Sequence, residues 1–443
     1  MSKSGTETRI DEYGDAQTGG RIGGLPDWRP RELTGEYTEE KEKRPGVDVP
    51  FLVLTMLILV IGLIMALSAS FARGYYTNAE PTRAFIRQLI FAVSGVAIMF
   101  LTTKFSIRSI SRGSYPLLIV SIVLLVAVLY VGIEANGAKR WLGFEGAGGS
   151  FSFQPSEVAK LALILSFAKW TNSHSREQMA KLKYGVFPFI AITALIIWLL
   201  ILEPHLSASI IIILLAVIMM FAGGTGMRWF VLGGLAIAAA AGILLFAGPH
   251  SLSGEAGAPT AAEQISQLAP GGKYEYAGGR LGAWLDPDSD PLGNGFQIRQ
   301  SLNAVGSGGL LGQGLGQSRQ KHLYLPEEHN DYIFAIVCEE LGFIGAMLIL
   351  MLFALLIVRG FWLALHAKDH YSALITTGIT SLLAIQVFLN VAVVTNLIPA
   401  TGISLPFFSS GGTALWIQLF QIGILLAVSR EIPPYRKTEA EAG

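Results

Sequence analysis

Acidic, basic and amide side chains are concentrated between Leu285 and Tyr332, immediately before a long apolar stretch. Such a mixture of polar groups beside hydrocarbon favours a site for a charged ligand that carries an apolar tail. We therefore expect substrate-binding residues in this segment, and the candidates are Gln297, Gln300, Ser301, Lys321, Glu327 and His329.

Asp331 is the carboxylate with the most informative position, because the apolar stretch begins directly after it. Asp commonly caps the first turn of a helix, which would give Asp331 a structural role. A carboxylate held at a helix start near the membrane surface can also act as a general base, here with Glu328 and His329 beside it. The two roles are compatible, and Asp331 is the predicted catalytic residue.

Charged residues in or beside other apolar stretches form a second group. Glu157 and Lys160 are three residues apart, which places them on one face of a helix. Lys139 and Arg140 precede that helix, and Glu203 ends the next apolar stretch at a similar predicted depth. Ionisable groups in a membrane span are costly and usually serve a pathway or a site. The pattern fits either a structural ion pair or a cationic pocket in which Lys and Arg bind phosphate.

The composition requires most of the chain to lie in a membrane. Of its 443 residues, 52% are hydrophobic and only 14% are charged, and the mean hydropathy is +0.51. Soluble domains carry about 25% charged residues, so this composition excludes a soluble protein. The 32 basic and 32 acidic residues balance, which leaves no basic surface for a nucleic acid. The single cysteine, Cys338, excludes an intrachain disulfide.

Apolar stretches of about 20 residues recur along the chain, and this is the length of helix that crosses a bilayer. About ten are predicted, at 51–72, 85–103, 115–133, 155–171, 186–203, 206–223, 228–248, 332–358, 371–395 and 412–429. The predicted fold class is an all-α polytopic membrane protein, with its membrane domain at residues 48–430. Residues 1–47 form a disordered polar tail and residues 431–443 a second tail. Residues 249–331 form one long loop between the seventh and eighth helices.

The distribution of Lys and Arg predicts the orientation, because these residues concentrate in cytoplasmic loops. With the N-terminus inside, the short outer loops hold only Arg73, Arg83, Lys139 and Arg140, and the inner loops and tails hold the other basic residues near the spans. Both termini are therefore predicted to be cytoplasmic, and the long loop and Asp331 to lie at the outer face of the membrane.

Several motifs resemble the SEDS family of bacterial cell-wall proteins (shape, elongation, division and sporulation). They include GAKRWL at 137–142, FQPSEVAK at 153–160, YLPEEHNDYIFA at 324–335 and GISLPF at 402–407, in the family's order. The resemblance covers residues 50–430 and is greater to the division and sporulation members than to the elongation member. Asn330, Glu203-Pro204-His205 and Ser410 depart from the usual residues, which leaves the role of His205 open.

The resemblance implies a peptidoglycan glycosyltransferase that polymerises lipid II at the outer face of the bacterial cytoplasmic membrane, in cell division. It implies a class B penicillin-binding protein as the partner transpeptidase, together with other division proteins and membrane lipid, and no nucleic acid. The family's essential aspartate falls on Asp331. Its other motif residues fall on Arg140, Trp141, Gln154, Glu157 and Lys160.

The chemistry that follows is a single displacement, because a β-1,4 bond formed from an α-linked lipid pyrophosphate inverts the anomeric carbon. Asp331 is expected to take the proton from the acceptor 4-hydroxyl, and Arg140 and Lys160 to stabilise the leaving pyrophosphate. The scheme requires no cofactor, although a divalent cation, Mg²⁺ or Mn²⁺, could assist, and no metal ligands are predicted. Two alternatives stay open: a transporter or flippase for lipid-linked precursors, and a non-catalytic scaffold of the division machinery.

Overall fold

The computed structural model describes residues 46–76, 82–135, 138–146, 149–235, 272–288, 290, 293–322 and 324–432. Almost all of the predicted tails at 1–47 and 431–443 lies outside these residues. So do most of the seventh predicted span at 228–248 and the first part of the long loop, up to residue 271.

The described chain is mainly helical, with one small sheet. Before the sheet come α1 (Val49–Tyr76), α2 (Arg83–Thr102) and α3 (Ile107–Val131). The strands are β1 (Ile133–Ala135), β2 (Ala138–Gly146) and β3 (Gly149–Phe153). Then follow α4 (Pro155–Asn172), α5 (Arg176–Met179), α6 (Leu182–Gly185), α7 (Phe187–Leu202) and α8 (Leu206–Ala222). The last helices are α9 (Gly272–Leu285), α10 (Asn294–Ser307), α11 (Ile333–Leu365), α12 (His370–Val394) and α13 (Gly412–Ser429).

Seven helical stretches in the described ranges are long and apolar enough to cross a membrane. They are Val49–Phe71, Arg83–Thr102, Ile107–Val131, Leu182–Leu202, Ile333–Leu365, His370–Val394 and Gly412–Ser429. Helices α4 and α8 occupy two further predicted spans, and residues 227–235 are helical at the start of the remaining one. The polytopic helical fold is therefore confirmed, whereas the count of ten spans stays a prediction.

Helix α4 lies in the interior of the bundle, packed against α3, α8 and α12. Its Ala159, Ala162 and Ile164 are fully buried. Gly378 of α12 approaches so closely that a Cβ on it would lie 2.4 Å from Ile164 Cγ2. This close packing fixes the first turn of α4, which carries Glu157 and Lys160.

The segment between α3 and α4 differs from the all-α expectation. Strands β1, β2 and β3 form an antiparallel sheet in that order, with Ile133 opposite Trp141 and Leu142 opposite Phe153. Glycine and charged residues interrupt the apolar residues of this segment, so an apolar-span analysis reads it only as a connection. The sheet adds to the helical fold and carries Lys139, Arg140 and Trp141 on β2.

Helix α3 begins at Ile107, eight residues before the predicted span. Ser106 caps it, because its side chain accepts a hydrogen bond from the Ser109 N–H at 3.2 Å. Ile107 and Ile110 are buried, so the polar first turns are held by packing. Hydropathy alone could not place this start, because the added turns contain arginine and serine.

Helix α11 is broken at Gly342, where the backbone has φ 68° and ψ −171°. The glycine-rich chain after α10 fills the break: the N–H groups of Gln313 and Gly314 donate to the carbonyls of Glu339 and Glu340, at 2.9 and 3.0 Å. Gly308 and Gly312 therefore serve close backbone packing, since a Cβ on them would lie 2.0 Å from the Cys338 carbonyl oxygen and 2.2 Å from the Glu340 carbonyl oxygen.

The two ends of the helical bundle differ in their polar contacts. At one end, Arg359 at the end of α11 forms an ion pair with Asp48 at 2.6 Å, and the Asp48 N–H donates to Ser429 Oγ at 3.1 Å. At the other end, Thr413 Oγ1 donates to the Ser152 carbonyl at 3.0 Å, and Arg140 donates to the Pro204 carbonyl. The polar residues of the predicted site lie at this second end.

Candidate active site

A cavity of about 350 Å³ opens where β2, the starts of α4, α8 and α11, and the loop before α13 meet. Eight of the fourteen predicted site residues line it: Arg140, Trp141, Gln154, Glu157, Lys160, Gln297, Glu327 and Asp331. The cavity therefore joins the two groups of polar residues that the sequence places far apart.

The backbone around Asp331 is held from two sides. Asn390 of α12 is fully buried, and its Nδ2 donates to the carbonyls of Asp331 and Ile403 at 2.8 and 2.7 Å. Ser409 Oγ donates to the Asn330 carbonyl at 2.7 Å, and the Ser410 N–H donates to the His329 carbonyl at 3.0 Å. These bonds join the start of α11 to the loop before α13, and both line the cavity.

The electrostatic surroundings of Asp331 suit proton transfer. Burial raises the pKa of Asp331 to about 6, Glu327 adds to the rise, and Arg280, His329 and Arg140 oppose it. At pH 7 most of the carboxyl is thus ionised and can accept a proton, with a pKa close to the working pH. Gly402 lies beside it, since a Cβ on Gly402 would be 3.0 Å from Asp331 Oδ2.

The basic side of the cavity is formed by Arg140 and Lys160. Lys160 Nζ lies 2.6 Å from Glu157 Oε1, and both side chains are buried. The pair is thus a buried ion pair that also lines the cavity, so the two interpretations of the sequence pattern describe the same residues. The Arg140 side chain is fixed by its bond to the carbonyl of Pro204.

The turn between α7 and α8 lies beneath Arg140. Burial raises the pKa of Glu203 to about 8, against the opposing effect of Arg140, so this carboxyl is largely protonated at pH 7. Burial, together with the nearby charges of Arg140 and Lys160, lowers the pKa of His205 to about 3, so the imidazole is neutral. Gln154 Nε2 lies 3.2 Å from His205 Nε2, which connects the turn to α4.

The other six predicted residues do not line the cavity. Lys321 is buried and forms an ion pair with Glu340 at 2.9 Å, and Ser301 donates to the Val394 carbonyl at 2.8 Å. For Lys321 and Ser301 the structure shows contacts within the protein, where a ligand contact was expected.

The remaining four residues also lie outside the cavity lining. Lys139 is exposed on β2, and Gln300 accepts a 3.5 Å hydrogen bond from Asn303. His329 lies 3.5 Å from Glu328, and Glu203 is buried next to Arg140.

Several cavity residues were missed by the sequence analysis: Ser207, Arg280, Gln386, Ser404 and Gln418. Gln386 and Gln418 sit in apolar helices, where only a contact between helices could reveal their role. Arg280 lies beyond the segment singled out for its polar residues. Its Nη1 donates to the Ala400 carbonyl at 3.0 Å, a pairing over 120 residues that local sequence does not encode.

Glu157 and Glu327, two acidic residues of the cavity, are engaged with other side chains and do not form a metal site. Within the described ranges, no three His, Cys, Asp or Glu side chains converge on one point. Glu157 is paired with Lys160, and Glu327 accepts a bond from Asn330 Nδ2 at 2.7 Å. These residues do not form a complete set of protein ligands for a metal ion, and no step of the reaction proposed below uses one.

Comparison with known proteins gives consistent matches along the membrane domain. The sequence profile of the FtsW, RodA and SpoVE family, described as "Cell cycle protein", matches residues 49–433. Stage V sporulation protein E of Bacillus subtilis is 40% identical over 390 residues, which are 88% of this chain and 98% of that protein. A probable peptidoglycan glycosyltransferase FtsW of Trichlorobacter lovleyi is 35% identical over 384 residues, 86% of this chain and 93% of that protein.

Two solved structures share the fold. One is described as "Structural coordination of polymerization and crosslinking by a peptidoglycan synthase complex". Its matching chain has a TM-score of 0.68 at 29% identity, over 88% of this chain and 99% of that one. The other is the rod shape determining protein RodA of Thermus thermophilus, with a TM-score of 0.60 at 26% identity, over 88% and 98% of the two chains.

Proposed function

Because this chain belongs to the FtsW/RodA/SpoVE family of cell cycle proteins, we propose that it is a peptidoglycan glycosyltransferase that polymerises lipid II in cell division. Family membership agrees with the SEDS resemblance of the motifs, and relatives carry the name of this activity. The observation that carries the proposal is a single cavity that holds a carboxylate of raised pKa and two basic side chains.

In the proposed reaction, Asp331 accepts the proton of the acceptor 4-hydroxyl as its oxygen attacks the anomeric carbon of the donor sugar. The bond from that carbon to the lipid pyrophosphate breaks at the same time, and a β-1,4 bond forms with inversion. The pyrophosphate carries away the electron pair of the broken bond. Arg140 and Lys160, held in place by the protein, stabilise its charge.

The cavity lies at one end of the helical bundle, near the predicted outer face of the cytoplasmic membrane. A lipid-linked donor can reach such a site from the bilayer while its headgroup stays among polar residues. The matching synthase complex, described by its polymerization and crosslinking, supports a class B penicillin-binding protein as partner. Other division proteins and any help from Mg²⁺ or Mn²⁺ are further parts of the proposal, to be tested with partner-free and chelator-treated enzyme.

The decisive experiment is polymerisation of labelled lipid II by purified protein, with and without a candidate transpeptidase. Asp331→Asn removes the base without changing the side-chain shape, and we expect it to lower the rate by about 10²- to 10⁴-fold. Asp288→Asn is the matched control, because Asp288 is an exposed carboxylate bound to Arg299 and does not line the cavity.

Full activity of Asp331→Asn would remove Asp331 from the mechanism. If the wild type makes no glycan strands with or without the partner, yet carries lipid II across vesicles, the protein is a transporter. If it neither polymerises nor transports, and a variant with all cavity residues replaced still supports division, the protein is a scaffold.

A further inference from the structure

The cavity lining includes amide and apolar side chains that the proposed mechanism does not use. They include Gln386 of α12 and Gln418 of α13, together with Ala208, Ile211 and Leu415. These groups carry no charge and cannot stabilise a pyrophosphate as Arg140 and Lys160 can. They indicate contact with a neutral polar part of a ligand.

Gln386 is the most informative of these residues. Only 3% of the residue is exposed, and it lines the cavity. Within the described part of the chain its amide has no hydrogen-bond partner. An amide at a cavity surface that has no partner in the protein is satisfied by what fills the cavity.

A backbone hydrogen bond fixes the orientation of the Gln418 side-chain amide. Its Oε1 accepts a hydrogen bond from the Phe407 N–H at 3.0 Å, so the amide nitrogen is the end left to donate. Gln386 can both donate and accept, because neither end of its amide is used in a hydrogen bond within the described residues. The lining therefore presents donors and an acceptor, together with the apolar surfaces of Ile211 and Leu415.

Helix α12 connects Gln386 to the surroundings of the base. Gln386 lies one helical turn from Asn390, and Asn390 Nδ2 contacts the Asp331 carbonyl at 2.8 Å. A sugar whose 4-hydroxyl meets Asp331 carries its 2-substituent two ring carbons away. An acetamido group there offers a carbonyl, an N–H and a methyl group, which match the donors, the acceptor and the apolar surface of this lining.

We propose that Gln386, assisted by Gln418, binds the 2-acetamido group of the acceptor sugar and so selects N-acetylated substrates. This inference rests on the proposed function and adds a specificity determinant to it. Hydrogen bonds from a buried site to one substrate group discriminate strongly against an analogue that lacks the group, because the protein's polar atoms are then left without partners.

The test compares lipid II with an analogue whose terminal N-acetylglucosamine is replaced by glucose, so that a 2-hydroxyl stands in place of the acetamido group. We expect the wild type to prefer natural lipid II in kcat/KM by about tenfold or more. Gln386→Met keeps the length of the side chain and removes the amide. It should lower kcat/KM for natural lipid II by about tenfold and leave the value for the analogue unchanged.

Gln421→Met is the matched control, because Gln421 is a buried glutamine of α13 that does not line the cavity. It should keep the full preference for natural lipid II. Gln386→Asn, which retains a shortened amide, should keep part of the preference and provides a second variant if Gln386→Met does not fold.

Equal losses on both substrates in the Gln386 variants, or an unchanged preference, would overturn the inference while the polymerase activity stands. A wild type that polymerises natural lipid II but shows no preference over the analogue would overturn it as well. Failure of the wild type to polymerise natural lipid II would instead contradict the proposed function.

Discussion

At the scale of single residues, the pKa of Asp331 sets the pH range in which the reaction can proceed. Burial raises this pKa to about 6, and only the ionised carboxyl can take a proton. We therefore expect kcat/KM to be constant near pH 7 to 8 and to fall about tenfold per pH unit below pH 6. The measurement is the rate of lipid II polymerisation from pH 5 to 8.

The thermal midpoint measured at each pH shows whether unfolding contributes to the fall. A rate that stays constant down to pH 5 in folded protein would mean that Asp331 does not act as the base, or that its pKa is not raised.

Gly402 is a second residue on which the geometry of the base depends. Its φ is +72°, which L side chains rarely adopt, and a Cβ would approach Asp331 Oδ2 to 3.0 Å. Gly402→Ala should therefore displace the carboxylate and lower polymerisation by about tenfold or more, in line with the sensitivity of catalysis to small misplacements.

Gly306→Ala is the control for this substitution, since a Cβ on Gly306, in α10, would meet nothing within 4 Å. Both variants are assayed for polymerisation and for yield of folded protein. Wild-type activity in Gly402→Ala would show that Asp331 tolerates movement of the neighbouring loop.

At the scale of secondary-structure elements, the break in α11 determines where Asp331 lies. Asp331 comes two residues before the first part of this helix, Ile333 to Leu341, which the break separates from the rest. Gly312 fills this break with φ +81°, and a Cβ on it would lie 2.2 Å from the Glu340 carbonyl oxygen. Gly316 has the same φ, but a Cβ there would meet nothing within 4 Å. Alanine substitutions at the two glycines therefore distinguish the free-energy cost of backbone strain, present at both, from the cost of a steric clash, present only at Gly312.

We expect Gly316→Ala to destabilise the fold by about 1 kcal/mol, and Gly312→Ala by about 3 kcal/mol or more. Thermal unfolding of the two purified variants, measured beside the wild type, gives the comparison. Equal thermal midpoints would show that the loop moves aside without cost, and that the break does not depend on close backbone packing.

The elements also show what the sequence could and could not predict. Helix positions follow from apolar stretches, because the bilayer imposes a length of about 20 residues. The sheet at 133–153, the break at Gly342 and the burial of Lys321 were not predicted. Each of these depends on a partner distant in sequence: Lys321 lies 19 residues from Glu340, and both also contact Ser68 of α1.

For the candidate site, motifs indicated six of the eight residues that the cavity brings together, and the polar segment before Asp331 indicated Gln297 and Glu327. They could not separate a lysine in the cavity, Lys160, from one that stabilises a loop, Lys321, since both are basic residues near a carboxylate. Local sequence states which charges are present, and only the packing of helices decides which of them face a ligand.

At the scale of the whole molecule, the cavity and the Asp48–Arg359 ion pair lie at opposite ends of the helices, which allows the predicted orientation to be tested. Tyr324 is exposed in the segment before Asp331, and Ser173 is exposed just after α4 has run away from the cavity. We expect Tyr324→Cys to react with a membrane-impermeant maleimide on intact cells, and Ser173→Cys only after permeabilisation.

The native Cys338 is buried, so the wild type serves as the unlabelled control. The opposite labelling pattern would place the cavity in the cytoplasm and would contradict an extracytoplasmic polymerase.

The ties between Asp48, Arg359 and Ser429 also have a consequence for biogenesis. Asp48 opens the first helix, whereas its two partners follow 311 and 381 residues later in the chain. Helix α2 likewise finds its main packing partner only in α13. During synthesis the first two spans therefore remain incompletely packed in the bilayer until the last helix leaves the ribosome. A nascent chain that stops before residue 412 lacks the surface that these early helices need, which makes it a substrate for membrane quality control.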